Sequence, residues 1–141
     1  NAGSTEINKK CTPIIGLIEE WYMDGVLKKG ELKKIGGTMR LGQYECSLLD
    51  NSLIKKIYNS NKIFERHRHR YEVNINYKEK FEDNGLVFSG MSNNNKLPET
   101  IELKAHPWFI GVQFHPEFKS RPLNPHPLFA SFIKAAKNKI K

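Results

Sequence analysis

His115 and Glu117 stand two residues apart in the stretch Val112-Gln113-Phe114-His115-Pro116-Glu117-Phe118, with a proline locked between them. In an extended segment, side chains at i and i+2 point to the same face. Imidazole and carboxylate then lie side by side, and Pro116 restricts the backbone that joins them. A carboxylate next to an imidazole orients a general base and stabilises the imidazolium that it becomes. Such a pair ordinarily serves a nucleophile. A strand-end histidine tied to a neighbouring carboxylate for packing alone gives the same pattern.

A second stretch, Glu65-Arg66-His67-Arg68-His69-Arg70-Tyr71-Glu72-Val73-Asn74, alternates arginine with histidine. Extended, it places Arg66, Arg68 and Arg70 on one face. The HxH unit lacks a third metal ligand at a recognisable spacing, and its flanking arginines repel a cation, so no metal site is expected. Three readings remain: a small phosphate-binding cluster, one arginine clamping a carboxylate bidentately, or a solvated charged edge. The third stretch, Gly36-Gly37-Thr38-Met39-Arg40-Leu41-Gly42, has glycines at both ends that permit tight backbone turns. It matches neither GxGxxG nor a Walker loop and is not a nucleotide cradle of those types.

The elements that must position these groups are short. Residues 12–18 read as a buried strand with proline at its edge, and 19–35 as a surface excursion. Apolar residues at 49, 53, 54 and 57 behind Asp50-Asn51-Ser52 predict a helix. Strands are expected at 63–65, 86–91, 101–103 and 109–114, with a short helix over 77–84 and a polar turn at 93–96. Leu128, Phe129, Phe132, Ile133 and Ala136 predict an amphipathic helix over 127–140 with its lysines outside. Residues 1–12 read as irregular. Such a mixture points to an α/β or α+β domain.

Composition fits this picture. Across 141 residues, 38% are hydrophobic and 11% aromatic, which supports a packed core and excludes a disordered tail. No apolar run reaches the roughly 18 residues of a membrane span, and no signal-peptide pattern follows Asn1. Cys11 and Cys46 form neither metal spacing nor a disulfide framework, which suits a reducing, intracellular setting. The net charge of +8 comes mostly from scattered lysines accompanied by asparagines, a pattern of A/T-rich coding rather than a nucleic-acid-binding stripe.

Taken in order, Ser4-Thr5-Glu6, GGTMRLG at 36–42, ERHRHRYEVN at 65–74, HPWF at 106–109, QFHPEF at 113–118 and HPLFASFIKAA at 126–136 cover essentially the whole chain. In that order they resemble the C-terminal half of the class I glutamine amidotransferase domain of the CTP synthase family. FHPE is shared by many class I amidotransferases; GGTMRLG and RHRHRYEVN are far more specific to CTP synthases.

The resemblance implies an α/β fold, the C-terminal part of an open, mostly parallel, flavodoxin-like sheet flanked by helices. It implies that a cysteine thiolate attacks the side-chain amide of L-glutamine, releasing ammonia and leaving a thioester that water hydrolyses. By the same resemblance His115 exchanges protons with that cysteine and with the leaving ammonia, and Glu117 orients His115. Arg70 binds the α-carboxylate of glutamine and Glu6 holds its α-ammonium. The ammonia passes to a synthetase domain that aminates UTP with ATP and Mg2+, GTP activates the glutaminase step, and the enzyme is a cytoplasmic homotetramer. No cofactor is expected within residues 1–141, nor any nucleic acid or membrane partner. The family's nucleophile sits in a G-x-C-x-G turn upstream of the Ser4-Thr5-Glu6 segment, as do the oxyanion-hole glycines. Cys11 and Cys46 match neither that context nor that position. Residues 1–141 are therefore expected to form a partial glutaminase domain holding two of three triad members, inactive alone. The alternatives are a basic phosphate- or nucleic-acid-binding module without catalysis, or another class I glutamine amidotransferase.

Overall fold

The computed structural model describes residues 1–17, 22–23, 26–27 and 39–139. Gly36, Gly37 and Thr38 of the glycine-rich motif, and most of the surface excursion expected over 19–35, lie outside the described residues.

A long strand β5, Arg40–Leu48, is the centre of the structure, although no strand is expected there from the sequence. Its hydrophobic alternation is interrupted by Arg40 and Gly42 on the inward face and by the exposed Leu41 on the other, so period-2 counting misses it. Gly42 sits at φ +99, a left-handed conformation that a Cβ would strain, and this accounts for the last glycine of the motif. β5 pairs antiparallel with β6 (Lys62–His69) on one side and β8 (Leu86–Ser92) on the other. β9 (Pro98–Leu103) and β10 (Ile110–Val112) extend the sheet to the order β10-β9-β8-β5-β6.

A second, smaller sheet has the order β1-β2-β7, from β1 (Ala2–Ser4), β2 (Thr12–Leu17) and β7 (Tyr71–Val73). The first residues are thus not irregular: Ala2 and Gly3 pair in parallel with Thr12 and Pro13. β3 (Tyr22–Met23) and β4 (Val26–Leu27) form a two-stranded pair. The expectation of a mostly parallel sheet therefore does not hold for the described residues, where β1 with β2 is the single parallel pairing. For β8, β9 and β10 the short connections account for this: parallel neighbours ordinarily need crossovers of a dozen residues or more, whereas β8 and β9 are joined across 93–97 and β9 and β10 across 104–109.

Helix α1, Leu53–Tyr58, begins where the sequence places it. The Ser52 hydroxyl accepts from the Lys55 amide at 3.2 Å, and both Glu102 carboxylate oxygens accept the Leu53 and Ile54 amides at 2.9 Å. Asn59 closes it in the left-handed conformation. α2 (Lys78–Glu82) follows a 3-10 turn, and α3 (Pro127–Lys139) ends the described chain. Ile54, Ile63, Leu48, Cys46, Phe114 and Leu128 make the apolar core, with Ile57, Tyr58, Ile110 and Val112 packed on it. Of the apolar stripe on α3 only Leu128 is buried; Phe129, Phe132 and Ile133 are 41–63% exposed.

Gly90 on β8 carries a testable packing constraint. A Cβ there would lie 2.5 Å from Thr100 Oγ1 and 2.7 Å from Cys46 Sγ, inside the central sheet. Gly90→Ala should cost about 1–3 kcal/mol by overpacking. A lowered thermal midpoint would report it, and an unchanged midpoint would contradict the packing described.

Candidate active site

Three structural steps deliver His115. The chain leaves β10 with the Gln113 amide donating to Glu99 O at 2.9 Å. Phe114, 3% exposed, then plugs the core beside the His67 and His126 rings. The His115 amide next donates to Arg66 O on β6 at 2.8 Å, so the segment spans from one edge strand of the larger sheet to the other. Pro116 opens a single 3-10 turn, Pro116–Phe118, for which its fixed φ is preset.

The His115 and Glu117 side chains do come together, with Nδ1 and Oε1 2.8 Å apart. They do so across this turn rather than along an extended strand, because β10 ends at Val112. Phe118 stacks on the imidazole at 4.8 Å and 15°. The bond to His115 is the main reason the Glu117 carboxyl lies below the usual carboxylate range. With Nδ1–H donated to Glu117, the lone pair of a neutral ring sits on Nε2, which has no hydrogen-bond partner among the described residues. That is the atom and the tautomer a general base requires.

Lys119 fastens the exit of the turn by donating to Phe64 O at 2.6 Å and to Glu65 Oε1 at 3.3 Å. The same carboxylate oxygen accepts from Tyr58 Oη at 3.0 Å and faces His126 Nε2 at 3.1 Å. Burial would raise the Glu65 carboxyl, but the bond from His126 and the nearby charges outweigh it and hold the group ionised. α1, β6, the turn and the start of α3 thus converge on one carboxylate.

Arg66 and Arg68 share the exposed face of β6, as the alternation requires, while Glu65 and His67 point inward. Arg70 departs from that face. β6 ends at His69, and Arg70 occupies the bend before β7, half-buried. His69 Nδ1 lies 3.0 Å from Tyr71 O, a bond that bridges the Arg70 backbone. Glu6 follows β1 in an exposed turn where Ser4 Oγ accepts its amide at 3.3 Å. β1 and β2 run parallel and Leu17 of β2 faces Tyr71. Glu6 and Arg70 therefore occupy the same end of the small sheet, on strands two spacings, about 10 Å, apart.

Behind this end lies a buried ionic cluster. Arg40 Nη2 donates to Glu99 Oε1 at 2.7 Å, and Nη1 lies 3.6 Å from Glu72 Oε1. Burial works against the Arg40 charge, yet the bond to Glu99 and the two carboxylates outweigh it and raise its pKa. Burial lifts the Glu99 carboxyl and pushes Glu72 up to about 7, with Arg40 opposing. Burial and the Arg40 charge push His67 down to about 3; burial lowers His69 to about 4. The bonds fix their tautomers: His69 Nδ1–H donates to Tyr71 O, so His69 Nε2 accepts from His67 Nδ1–H at 2.8 Å. The bare Nε2 of His67 then faces Glu99 Oε2 at 3.5 Å. Arginine beside these donors disfavours a cation, and no group of three or more metal-ligating side chains is assembled among the described residues.

Arg40, Glu72, Glu99, Gln113 and the Glu65 network are the residues that sequence reasoning misses. The available signal is polar side chains at the inward positions of an alternating strand, as at Glu65 and His67.

Residues 11–135 match the family model for glutamine amidotransferase class-I, and the chain belongs to that family. Its sequence is 70% identical to the CTP synthase of Pelagibacter ubique over 138 residues, covering 98% of this chain and 26% of that protein. It is 57% identical over 137 residues to the CTP synthase of Agrobacterium fabrum, covering 96% of this chain and 25% of that one. The chain thus spans about a quarter of the length of these curated relatives. In structure it is similar to the glutaminase domain of Trypanosoma brucei CTPS with bound acivicin. The TM-score is 0.81 at 35% identity, covering 97% of this chain and 51% of the other. The class I glutamine amidotransferase fold is thereby that of this chain, with every described strand pairing except β1 with β2 antiparallel.

Proposed function

We propose that residues 1–141 form part of the glutaminase domain of a CTP synthase, which hydrolyses L-glutamine and supplies ammonia for ATP-dependent amination of UTP. The observation that carries this reading is the 2.8 Å His115–Glu117 bond, which leaves Nε2 as the proton-exchanging atom. In the proposed reaction, Nε2 takes the thiol proton of the nucleophile as the thiolate attacks the glutamine amide carbon. It returns that proton to the leaving nitrogen as ammonia departs, and later deprotonates the water that cleaves the thioester. Arg70 and Glu6 hold the α-carboxylate and α-ammonium, one cation and one anion for a zwitterion.

The nucleophile comes from a segment outside these residues. Cys46 is 1% exposed, and burial pushes its thiol up to about 12, the reverse of what a reactive thiolate needs. Cys11 packs against Gly3 in the turn before β2. The oxyanion hole, and the synthetase domain that uses Mg2+ and ATP, belong to the remainder of the protein, as does assembly into a cytoplasmic homotetramer. Among the described residues no helix is long and apolar enough to cross a membrane.

One observation favours a second reading. Arg66, Arg68, Lys119 and Arg121 line an open groove with Met39, Leu41, His67 and Phe118, a cationic surface suited to phosphates. Within the glutaminase reading, this surface is a candidate site for the activator GTP. As the whole function, it would make the chain a polyanion-binding module. Arg70 separates the two readings. A bidentate arginine–carboxylate contact is charge-assisted, and lysine replaces it poorly. In the intact protein, Arg70→Ala should weaken glutamine binding by about 1.5–3 kcal/mol, roughly 10- to 150-fold. It should leave ammonia-dependent CTP formation nearly unchanged. If Arg66→Ala, Arg68→Ala and Arg70→Ala instead weakened polyanion binding equally, with steep salt dependence and unchanged glutamine kinetics, the binding-module reading would stand.

A further inference from the structure

Resting on the glutaminase reading, we propose that Gln113 and Glu72 are positioning residues that hold the proton-transferring His115 in register with the substrate-binding Arg70. Gln113 Nε2 donates to Glu72 Oε2 at 2.7 Å, and to Pro98 O at 2.5 Å. Gln113 is two residues before His115, and Glu72 two residues after Arg70, so one bond joins the two segments that must meet on a single glutamine. Glu72 lies on β7 of the small sheet, whereas Gln113 directly follows β10 of the large one. Among the described residues no backbone pairing joins β7 to β10.

The strut is anchored at both ends. Glu72 is fully buried, and its second oxygen faces Arg40 Nη1 of β5 at 3.6 Å and His69 Nδ1 of β6 at 3.4 Å. Glu99 of β9, on the other side of Arg40, completes the charged surroundings. Gln113 is held additionally by its own amide on Glu99 O. A glutamine suits this place because one NH2 group serves both the carboxylate and the Pro98 carbonyl. Leucine or methionine would fill the space and leave two buried acceptors without donors.

The test uses the intact protein, with L-glutamine or ammonia as nitrogen source. Gln113→Met keeps the side-chain length and removes both donors. If the strut positions the two segments, KM for glutamine rises as well as kcat falling. Together they should lower kcat/KM on the order of 100-fold, the cost of a misplacement of about 1 Å, with the ammonia reaction retained. Gln113→Glu sets a second carboxyl against Glu72. Two carboxyls at hydrogen-bond distance share one proton, so a donor exists only while the pair retains it. The glutaminase activity of Gln113→Glu should therefore recover on acidification to about pH 6 relative to wild type, whereas Gln113→Met should show no such recovery. Should Gln113→Met fail to fold, judged by loss of the ammonia reaction, the Gln113→Glu profile decides alone. Unchanged KM in both variants, with pH profiles parallel to wild type, would reduce the bond to a packing contact and overturn the proposal. Absence of glutamine hydrolysis by the wild-type protein would instead overturn the glutaminase reading itself, and this inference with it.

Discussion

His115→Ala in the intact protein is expected to lower glutamine-dependent CTP formation by roughly 10⁴-fold or more, the scale seen when the base of a nucleophile–base pair is deleted. The rate with ammonia as nitrogen source should persist, because in the proposed function the synthetase chemistry lies in another domain and does not pass through His115. Glu117→Ala should be milder. Its side chain is 56% exposed, so water can occupy the vacated position beside Nδ1, and Phe118 still stacks on the ring. Steady-state kinetics with each nitrogen source measure both effects. If the ammonia reaction fell in parallel, the damage would lie in folding or in communication between domains rather than in proton transfer.

The second large effect concerns stability. Arg40 and Glu99 are both almost fully buried and bonded at 2.7 Å. Removing one partner of such a pair leaves an uncompensated buried charge, at a cost of about 3–5 kcal/mol. Glu99→Ala should therefore loosen the central sheet, with Arg40 left to the more distant Glu72. Hydrogen exchange of the β5, β8 and β9 amides reads this locally. Protection unchanged from wild type would show that the cluster does not hold the sheet.

The same cluster sets a pH dependence. His67 and His69 are held near 3 and 4, against an ordinary value of 6.5, so between these limits the unfolded chain binds more protons than the folded one. Their contribution is present above pH 6.5 and lost as pH falls, by up to about 1.4 kcal/mol per unit and per group. Glu72 acts oppositely. Its carboxyl is raised from 4.5 to about 7, so its contribution is present below 4.5 and lost as pH rises through 7. From pH 6.5 down to 4.5 the two trends oppose one another. Below 4.5 only the loss from histidine remains, joined by Glu65 and Glu117, whose lowered carboxyls favour the fold only while ionised. Acid unfolding should thus steepen below pH 4.5, and a midpoint insensitive to His67→Gln would contradict this account.

The elements most legible in the sequence were those with local chemistry at their ends. α1 carries its cap at Ser52, α2 lies within the helical stretch expected at 77–84, and the polar turn at 93–96 separates β8 from β9. β5 was illegible because its positions alternate around Arg40, a buried charge whose partners, Glu72 and Glu99, come from distant strands. The His115–Glu117 pairing follows from the spacing, yet the backbone that makes it is a 3-10 turn opened by Pro116, because strand pairing has already ended at Val112. Glu6 and Arg70 were named by resemblance. Their common position at one end of the small sheet depends on a parallel pairing of β1 with β2 that no periodicity in residues 1–12 reveals.

The central claim is that these residues supply the proton-transferring half of a glutaminase whose thiolate lies elsewhere in the protein. The most direct measurement is glutamate formed from L-glutamine by the intact protein carrying both Cys11→Ala and Cys46→Ala, beside the same protein carrying His115→Ala alone. The account predicts that hydrolysis survives loss of both cysteines and disappears with His115. Hydrolysis lost in the double cysteine variant while the ammonia-dependent reaction persists, or retained without His115, would contradict it.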